Sequence, residues 1–382
     1  MNRLNAKLYA GASVALSAGL IMVLSLSPAG PAGAATKGLS KSMVTELTAI
    51  VKSAEGPVKW QGPKSAPKPA AGKKIFILSD NQAGLGSRTF AAGVATAATA
   101  IGWTSTTFDG QGEVTNYAAG LSQAMSQDYN GVVLVGIDPT LVTTQLAAVR
   151  AAGIPVLDVS NTVPPSATGV NANIGYHQVN EARVLAAYVA LNSNGKADIA
   201  TIDAPEFGTV VLRDNSFKKS LAQFCKTCKI VTSINVTSAD LGSTNLVSMI
   251  AADIEAHPSI TWFVAPFDDV AVPAVEAIQQ LGLSKKIKLV SYEGEAQNLS
   301  YIRTGTVQVA DIGEPYPWFG WEAIDSMNRL FNGSTSLSAT VTDNEPFELL
   351  VKANDPTAAA SAAGWSGDFN YAAEYKKLWG VS

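Results

Sequence analysis

Histidine and cysteine are nearly missing from this chain, with two of each among 382 residues. A four-ligand zinc centre cannot be built from them without carboxylates, and so little histidine weakens most acid–base catalytic schemes. Charge is also scarce, at 15% of residues where about a quarter is usual. Nor is there a basic surplus: 27 Lys plus Arg stand against 31 Asp plus Glu, a formal charge of −4. Nothing is left over to neutralise a phosphate backbone, so nucleic-acid binding is not expected. Gly84-Leu85-Gly86 lacks the third glycine and the distal acidic partner of a dinucleotide fingerprint, and no G-x-x-x-x-G-K-[ST] loop occurs. A G-x-S-x-G nucleophile elbow is absent as well. The expectation is a protein with no cofactor, no metal and no enzymatic activity.

What is present is ample apolar material, 47% of the chain, enough for two compact domains at roughly 150 residues each. The first residues carry Arg3 and Lys7, then an almost uncharged run from 8 to 26, then small residues through Ala34 and Ala35. That order of parts predicts a secretory signal peptide over 1–34 rather than a membrane anchor, because Gly and Ser dilute the apolar run. No Cys lies near the cleavage region, so a lipid anchor is not indicated, and a freely diffusing periplasmic monomer is expected. Cys225 and Cys228 end a helix-like segment instead of opening one, which points to a structural disulfide or inert thiols and away from redox chemistry.

Residues 38–54 carry a short amphipathic helical pattern, followed by Pro57, Pro63, Pro67 and Pro69 in a Gly- and Ala-rich stretch. The segment 35–73 reads as a helix and linker outside the core. From Lys74 apolar runs of strand length alternate with helical segments. Strands are expected at 75–79, 104–108, 132–136, 155–160, 197–203, 229–236, 260–265, 287–291 and 307–312. Helices are expected at 87–101, 114–127, 140–152, 178–192, 209–224, 243–256, 270–282, 296–304 and 318–331. Runs such as Val132-Val133-Leu134-Val135 are apolar on both faces, the mark of parallel sheets covered by helices. Nine strands exceed one comfortable sheet, so the fold class is α/β with two doubly wound parallel-sheet lobes. The lobes are expected at 74–175 plus 314–339 and at 176–313 plus 340–382.

In such sheets ligands bind beyond the carboxyl ends of the strands. Those positions hold Asp80, Asn81, Gln82, Asp109, Gln111, Asp138, Ser160, Asn161, Asp203, Glu206, Asp268, Asp269, Glu293, Glu295 and Glu314. Helix capping alone would account for many of them. Trp318, Phe319 and Trp321 open a helix, where core packing is expected ahead of stacking on a ligand. His177 and His257, at helix ends, read as capping or surface residues.

Four segments carry a resemblance: 131–138 (GVVLVGID), 151–156 (AAGIPV), 267–271 (FDDVA) and 289–294 (LVSYEG). In this order they are similar to the type I periplasmic solute-binding proteins of ABC transporters, the ribose-binding-protein-like branch related to the ligand domains of LacI-type repressors. The resemblance runs from about Lys74 to Gly333. It implies two lobes joined by a three-crossing hinge, a small hydroxylated solute, most often a sugar or polyol, clamped between them, and delivery to a membrane permease. No helix-turn-helix precedes the core, so a repressor is excluded. Carried over by position, Arg213 matches the family's ligand-binding arginine, and Glu293 stands where sugar binders carry Asp. Ser160-Asn161 replaces an Asp-Arg pair, and Phe267 replaces an Asn. The loop 81–88 lacks the usual stacking aromatics, so a ligand other than ribose is expected. The site is expected to comprise Asn81, Gln82, Asp138, Ser160 and Asn161 from the first lobe, with Arg213, Phe267, Asp268 and Glu293 from the second. Rival readings are a ligand-sensing component for a chemoreceptor or kinase, a binder of organic acids or aromatic solutes, and a glycosidase using Glu293 and Asp138 as a carboxylate pair.

Overall fold

The computed structural model describes residues 38–161, 165–175, 177–241, 243–354, 360–361 and 364–382. The expected signal peptide lies outside these residues, and no described helix is long and apolar enough to cross a membrane.

The two lobes stand as expected. Strands β1 (Lys74–Ser79), β2 (Thr104–Asp109), β3 (Gly131–Val135), β4 (Val156–Val159) and β5 (Ala172–Ile174) form one parallel sheet in the order β2-β1-β3-β4-β5. The second sheet has the order β11-β10-β9-β8-β6-β7, built from β6 (Asp198–Asp203), β7 (Lys229–Asn235), β8 (Trp262–Val264), β9 (Lys288–Glu293), β10 (Gln308–Gly313) and β11 (Glu348–Val351). Within these two sheets only β11 runs antiparallel to its neighbour. Each sheet reverses its strand order once, between β1 and β3 and between β6 and β8, which fixes a crevice at the carboxyl ends of those strands.

Side-chain alternation explains why both faces are dry. Ile75, Ile77, Val133 and Val135 enter one core cluster while Phe76, Leu78, Val132 and Leu134 enter another on the opposite face. The second sheet divides in the same way, with Ile199, Val264 and Val290 on one side and Ala200, Phe263 and Leu289 on the other. Cys225 and Cys228 are joined in a disulfide.

The segment expected to lie outside the core is instead part of it. The helix Lys41–Ala54 buries Leu47 and Val51 against the second lobe. Downstream, Trp60 stacks on Trp318 with ring centroids 5.6 Å apart. Prolines leave the following chain extended, with carbonyls that no helix or sheet satisfies. Asn328 Nδ2 donates to Pro67 O (2.9 Å), Arg329 Nη2 to Ser65 O (2.6 Å) and Trp103 Nε1 to Ala70 O (2.6 Å). A second correction concerns the C-terminus: β11 belongs to the second lobe, but the helix Tyr371–Trp379 packs in the first lobe's core. Its Trp379 lies flat on Trp321 at 5.4 Å and donates to Asp325 Oδ1 (2.8 Å). Among the described residues the chain therefore passes between lobes after β5, after β10 and before β11, and again near 55–60 and 366–370.

Candidate functional site

The helix Leu85–Ala100 begins a few residues beyond β1, and the helices Gly208–Phe224 and Asp268–Gln280 begin beyond β6 and β8. Their first turns converge on one cavity between the lobes. It is lined by Asp80, Gly86, Ser87, Phe90, Val135, Gly136 and Ser160 from the first lobe's strand ends and helix. Phe207, Thr209, Val210, Arg213, Leu241, Phe267, Asp269 and Glu293 line it from the second, with Tyr316 beside the passage after β10. The lobes already touch across it: Leu85 N donates to Asp269 Oδ2 (3.0 Å), and Asn81 Nδ2 to Ser238 O (3.4 Å).

Four of the nine expected site residues reach the cavity: Ser160, Arg213, Phe267 and Glu293. Ser160 and Glu293 both hold positive φ, 70° and 107°. That conformation is costly for residues with a Cβ, and it turns both strand ends toward the opening. Arg213 is buried. It donates through Nη1 to Pro266 O (2.7 Å) and through Nη2 to Glu314 Oε1 (2.6 Å), lies 3.6 Å from Glu181 Oε2, and sits over the Tyr292 ring at 4.2 Å. Its neighbour in sequence, Asp214, pairs with Lys218 at 2.6 Å instead.

The other five do local work instead. Asp138 caps the turn after β3, accepting from Thr140 N (2.8 Å). Gln82 donates through Nε2 to Ser79 Oγ (2.7 Å), and Asn161 through Nδ2 to Ile137 O (3.0 Å). Asn81 accepts from Ala83 N besides touching Ser238. Asp268 is fully buried behind the cavity, where Ser291 Oγ and Glu295 N donate to it. Its neighbour Asp269 takes the place expected for it. Because Asp138 is a turn cap away from the cavity lining, the pair Glu293 and Asp138 needed by the glycosidase reading is not assembled there.

The residues not chosen from the sequence are chiefly Asp80, Asp269 and the aromatics. Both aspartates stood among the polar strand ends, so the signal was present but did not separate them from caps. Phe90 stacks on Tyr316 at 4.0 Å, and Phe207 meets Phe267 edge to face at 5.9 Å. These rings line the cavity from helices and a loop, whereas 81–88 contributes none. Trp318 and Phe319 are packed in the core away from the cavity, as expected.

Electrostatically the cavity is acidic. Burial pushes Asp80 up to about 7 even though Ser87 Oγ donates to it at 2.6 Å. Burial also raises Asp269 and holds Glu293 well above the usual carboxylate range, where Glu295 and Asp269 add repulsion. The one lining cation, Arg213, is already engaged by Glu314.

The model of the periplasmic binding protein domain matches residues 76–335, about two thirds of the chain. The protein belongs to this family. Among curated proteins no relative matches. Among solved structures, a glucose-galactose binding protein from Geobacillus stearothermophilus superposes with a TM-score of 0.66 at 15% identity, covering 75% of this chain and all of that one. The binding protein of the arabinose ABC transporter from Shewanella sp. ANA-3 gives 0.64 at 18%, over 80% and 95% of the two chains. A 5-methylthioribose transporter solute binding protein from Thermotoga lettingae gives 0.66 at 16%, over 81% and 94%. At these identities the likeness shows a common two-lobed fold, in agreement with the family match.

Proposed function

We propose that this periplasmic binding protein is an extracytoplasmic receptor for an uncharged, hydroxyl-rich small solute, a sugar or polyol, which it clamps between its lobes and delivers to an ABC permease without chemical change. The observation that carries the reading is the cavity itself: carboxylates and hydroxyls from both lobes converge at both strand-order reversals, between aromatic walls. Carboxylates accept from solute hydroxyls, while Phe90, Tyr316, Phe207 and Phe267 offer apolar faces for C–H surfaces. The sugar-binding relatives of the same fold support this choice of solute. A carboxylated solute fits less well, because the one lining cation, Arg213, is already engaged by Glu314.

A thermal-shift screen across neutral pentoses, hexoses and polyols beside their uronic-acid counterparts tests the proposal. A solute bound only by the folded state raises the melting temperature, by about 2.7 kcal/mol of stabilisation at a hundredfold excess over Kd. A neutral solute that raises it with no product formed on incubation is the expected result. Stabilisation by the acids alone, or turnover of the bound solute, would overturn the proposal.

A further inference from the structure

Behind the cavity, where β9 and β10 end side by side, the side chains of Asp268, Ser291, Asn298, Gln308 and Asp311 are all fully buried. Such a polar cluster is costly unless its members satisfy one another. Asn298 Nδ2 donates to Gln308 Oε1 (3.0 Å), and Gln308 Nε2 donates to Ser291 Oγ (2.7 Å) and to Asp311 Oδ2 (2.9 Å). The two aspartates then take the main-chain N–H groups of the turn that follows β9. Gly294 N donates to Asp311 Oδ1 (3.2 Å), and Glu295 N to Asp268 Oδ2 (2.7 Å).

That turn is strained. Glu293 has φ 107° and Gly294 φ 75°, and a residue with a Cβ keeps such a conformation only where its surroundings over-determine it. Successive N–H groups in a turn of this kind form a concavity for negative charge, which the two carboxyls fill. Two full charges would repel strongly in so dry a place. One proton is shared instead. Ser291 Oγ reaches both Asp268 Oδ1 and Asp311 Oδ2 (3.1 Å for the latter), but a hydroxyl has a single proton to give. The carboxyls also hydrogen-bond each other, which requires a proton on one of them. Repulsion from Glu293, close to Asp311, favours keeping it. Neither aspartate lines the cavity, whereas Glu293 does. We propose that Asp311, sharing a proton with Asp268, is a positioning residue for the solute cavity: the pair holds the turn 293–295 and so keeps the Glu293 carboxyl at the cavity wall. This rests on the reading of the cavity as a solute site and deepens it. With the pair removed, Glu293 relaxes toward negative φ and its side chain leaves the opening.

Amide hydrogen exchange of the full chain without solute is the first arm of the test. Asp311→Ala and Asp268→Leu should each speed exchange at Gly294 and Glu295 at least about tenfold, with an intact fold by circular dichroism. Ser291→Ala, which removes the hydroxyl between the carboxyls, should speed the same two amides and serves if Asp311→Ala does not fold. Asp268→Asn should restore the wild-type rates, because its amide permanently supplies the hydrogen that the shared proton provides. Calorimetric titration with D-glucose, D-galactose and L-arabinose is the second arm. For whichever of these binds wild type, Asp311→Ala should weaken binding about tenfold, the loss of one hydrogen bond to a solute hydroxyl. Glu293→Ala should do the same, and adding Asp311→Ala to it should cost less than about threefold more, since both act at one contact. A merely structural role would cost as much in either background. Unchanged exchange at both amides, exchange in Asp268→Asn as fast as in Asp268→Leu, or additive losses in the double variant would each overturn the proposal. Binding of none of these sugars by wild type would count against the cavity reading alone, and exchange would then decide the role of Asp311.

Discussion

Replacing Arg213 by alanine should destabilise the protein whether or not a solute is bound. The guanidinium is 5% exposed, against 1% for the Glu314 side chain and 2% for Glu181, so solvent does not screen the cluster. Breaking such a buried arrangement by removing its only cation costs about 3–5 kcal/mol, a large share of the roughly 5–15 kcal/mol that holds a domain together. The loss should depend on pH with a definite sign. Burial already holds Glu181 well above the usual carboxylate range, opposed by Arg213. Without the arginine Glu181 binds a proton still more readily in the folded state than in the unfolded one. Stability of the variant then falls as pH rises, so the gap to wild type is no smaller at pH 8 than at pH 5. Urea unfolding followed by circular dichroism at both values measures the gap. Arg213→Lys, which keeps the charge but not the fork, should fall between. A gap under about 1 kcal/mol at both pH values would refute the reasoning. So would wild-type solute affinity in a folded Arg213→Ala protein, for the claim that this residue serves the cavity.

Asp80 supplies a second titration. Its folded value of about 7 lies above the unfolded value near 3.9, so its destabilising contribution is absent below pH 4, grows through the window between the two values and is complete above pH 7. Relative to Asp80→Asn, wild type should lose roughly 4 kcal/mol between pH 4 and pH 8, and parallel stability profiles would contradict this. Gly320→Ala probes the close approach of the helices Leu85–Ala100 and Tyr316–Phe331. An added Cβ would lie 2.2 Å from Val94 N and 2.3 Å from Gly93 C, backbone atoms that cannot rotate away. Overpacking of that kind costs about 1–3 kcal/mol or more, visible as a lower melting temperature, and an unchanged one would show that the helices part freely.

The scaffold was legible because parallel strands buried on both faces are written as uninterrupted apolar runs. Strands at 75–79, 132–136 and 287–291 were expected within two residues of where β1, β3 and β9 lie. Two strands of the lobe sheets left no such mark. Ala172–Ile174 has three residues at a sheet edge, and Glu348–Val351 pairs antiparallel after a long gap in the alternating rhythm. The role of the flanking segments was hidden for another reason. Proline and glycine from 56 to 72 speak only for local conformation, whereas Trp60 is held by Trp318 and Tyr375, more than 250 residues away. No pattern within one segment encodes a partner at that distance, so composition suggested a free linker where packing makes a strap.

The cavity was read less well than the scaffold, and Asp268 and Asp269 show why. Both follow the same strand, both open the same helix, and both carry the same carboxylate, so residue type and position at the rim make them equal candidates. What separates them is helical phase: successive residues of a helix project about 100° apart, so only one of an adjacent pair faces a given cavity. Phe267, the N-cap residue, is fully extended at φ −164° and ψ 166°. From that start Asp268 points back into the lobe, where Ser291 and Glu295 receive it, and Asp269 points across the cleft to Leu85 N. The register of a helix start depends on cap geometry, which sequence locates to no better than a residue or two. An error of one residue there exchanges a cavity-lining residue for a buried brace. The same limit separates Asp80, which faces the cavity, from Asn81 and Gln82, which hold the loop beside it. Apolar runs tolerate such an error because their neighbours are also apolar; a binding site does not.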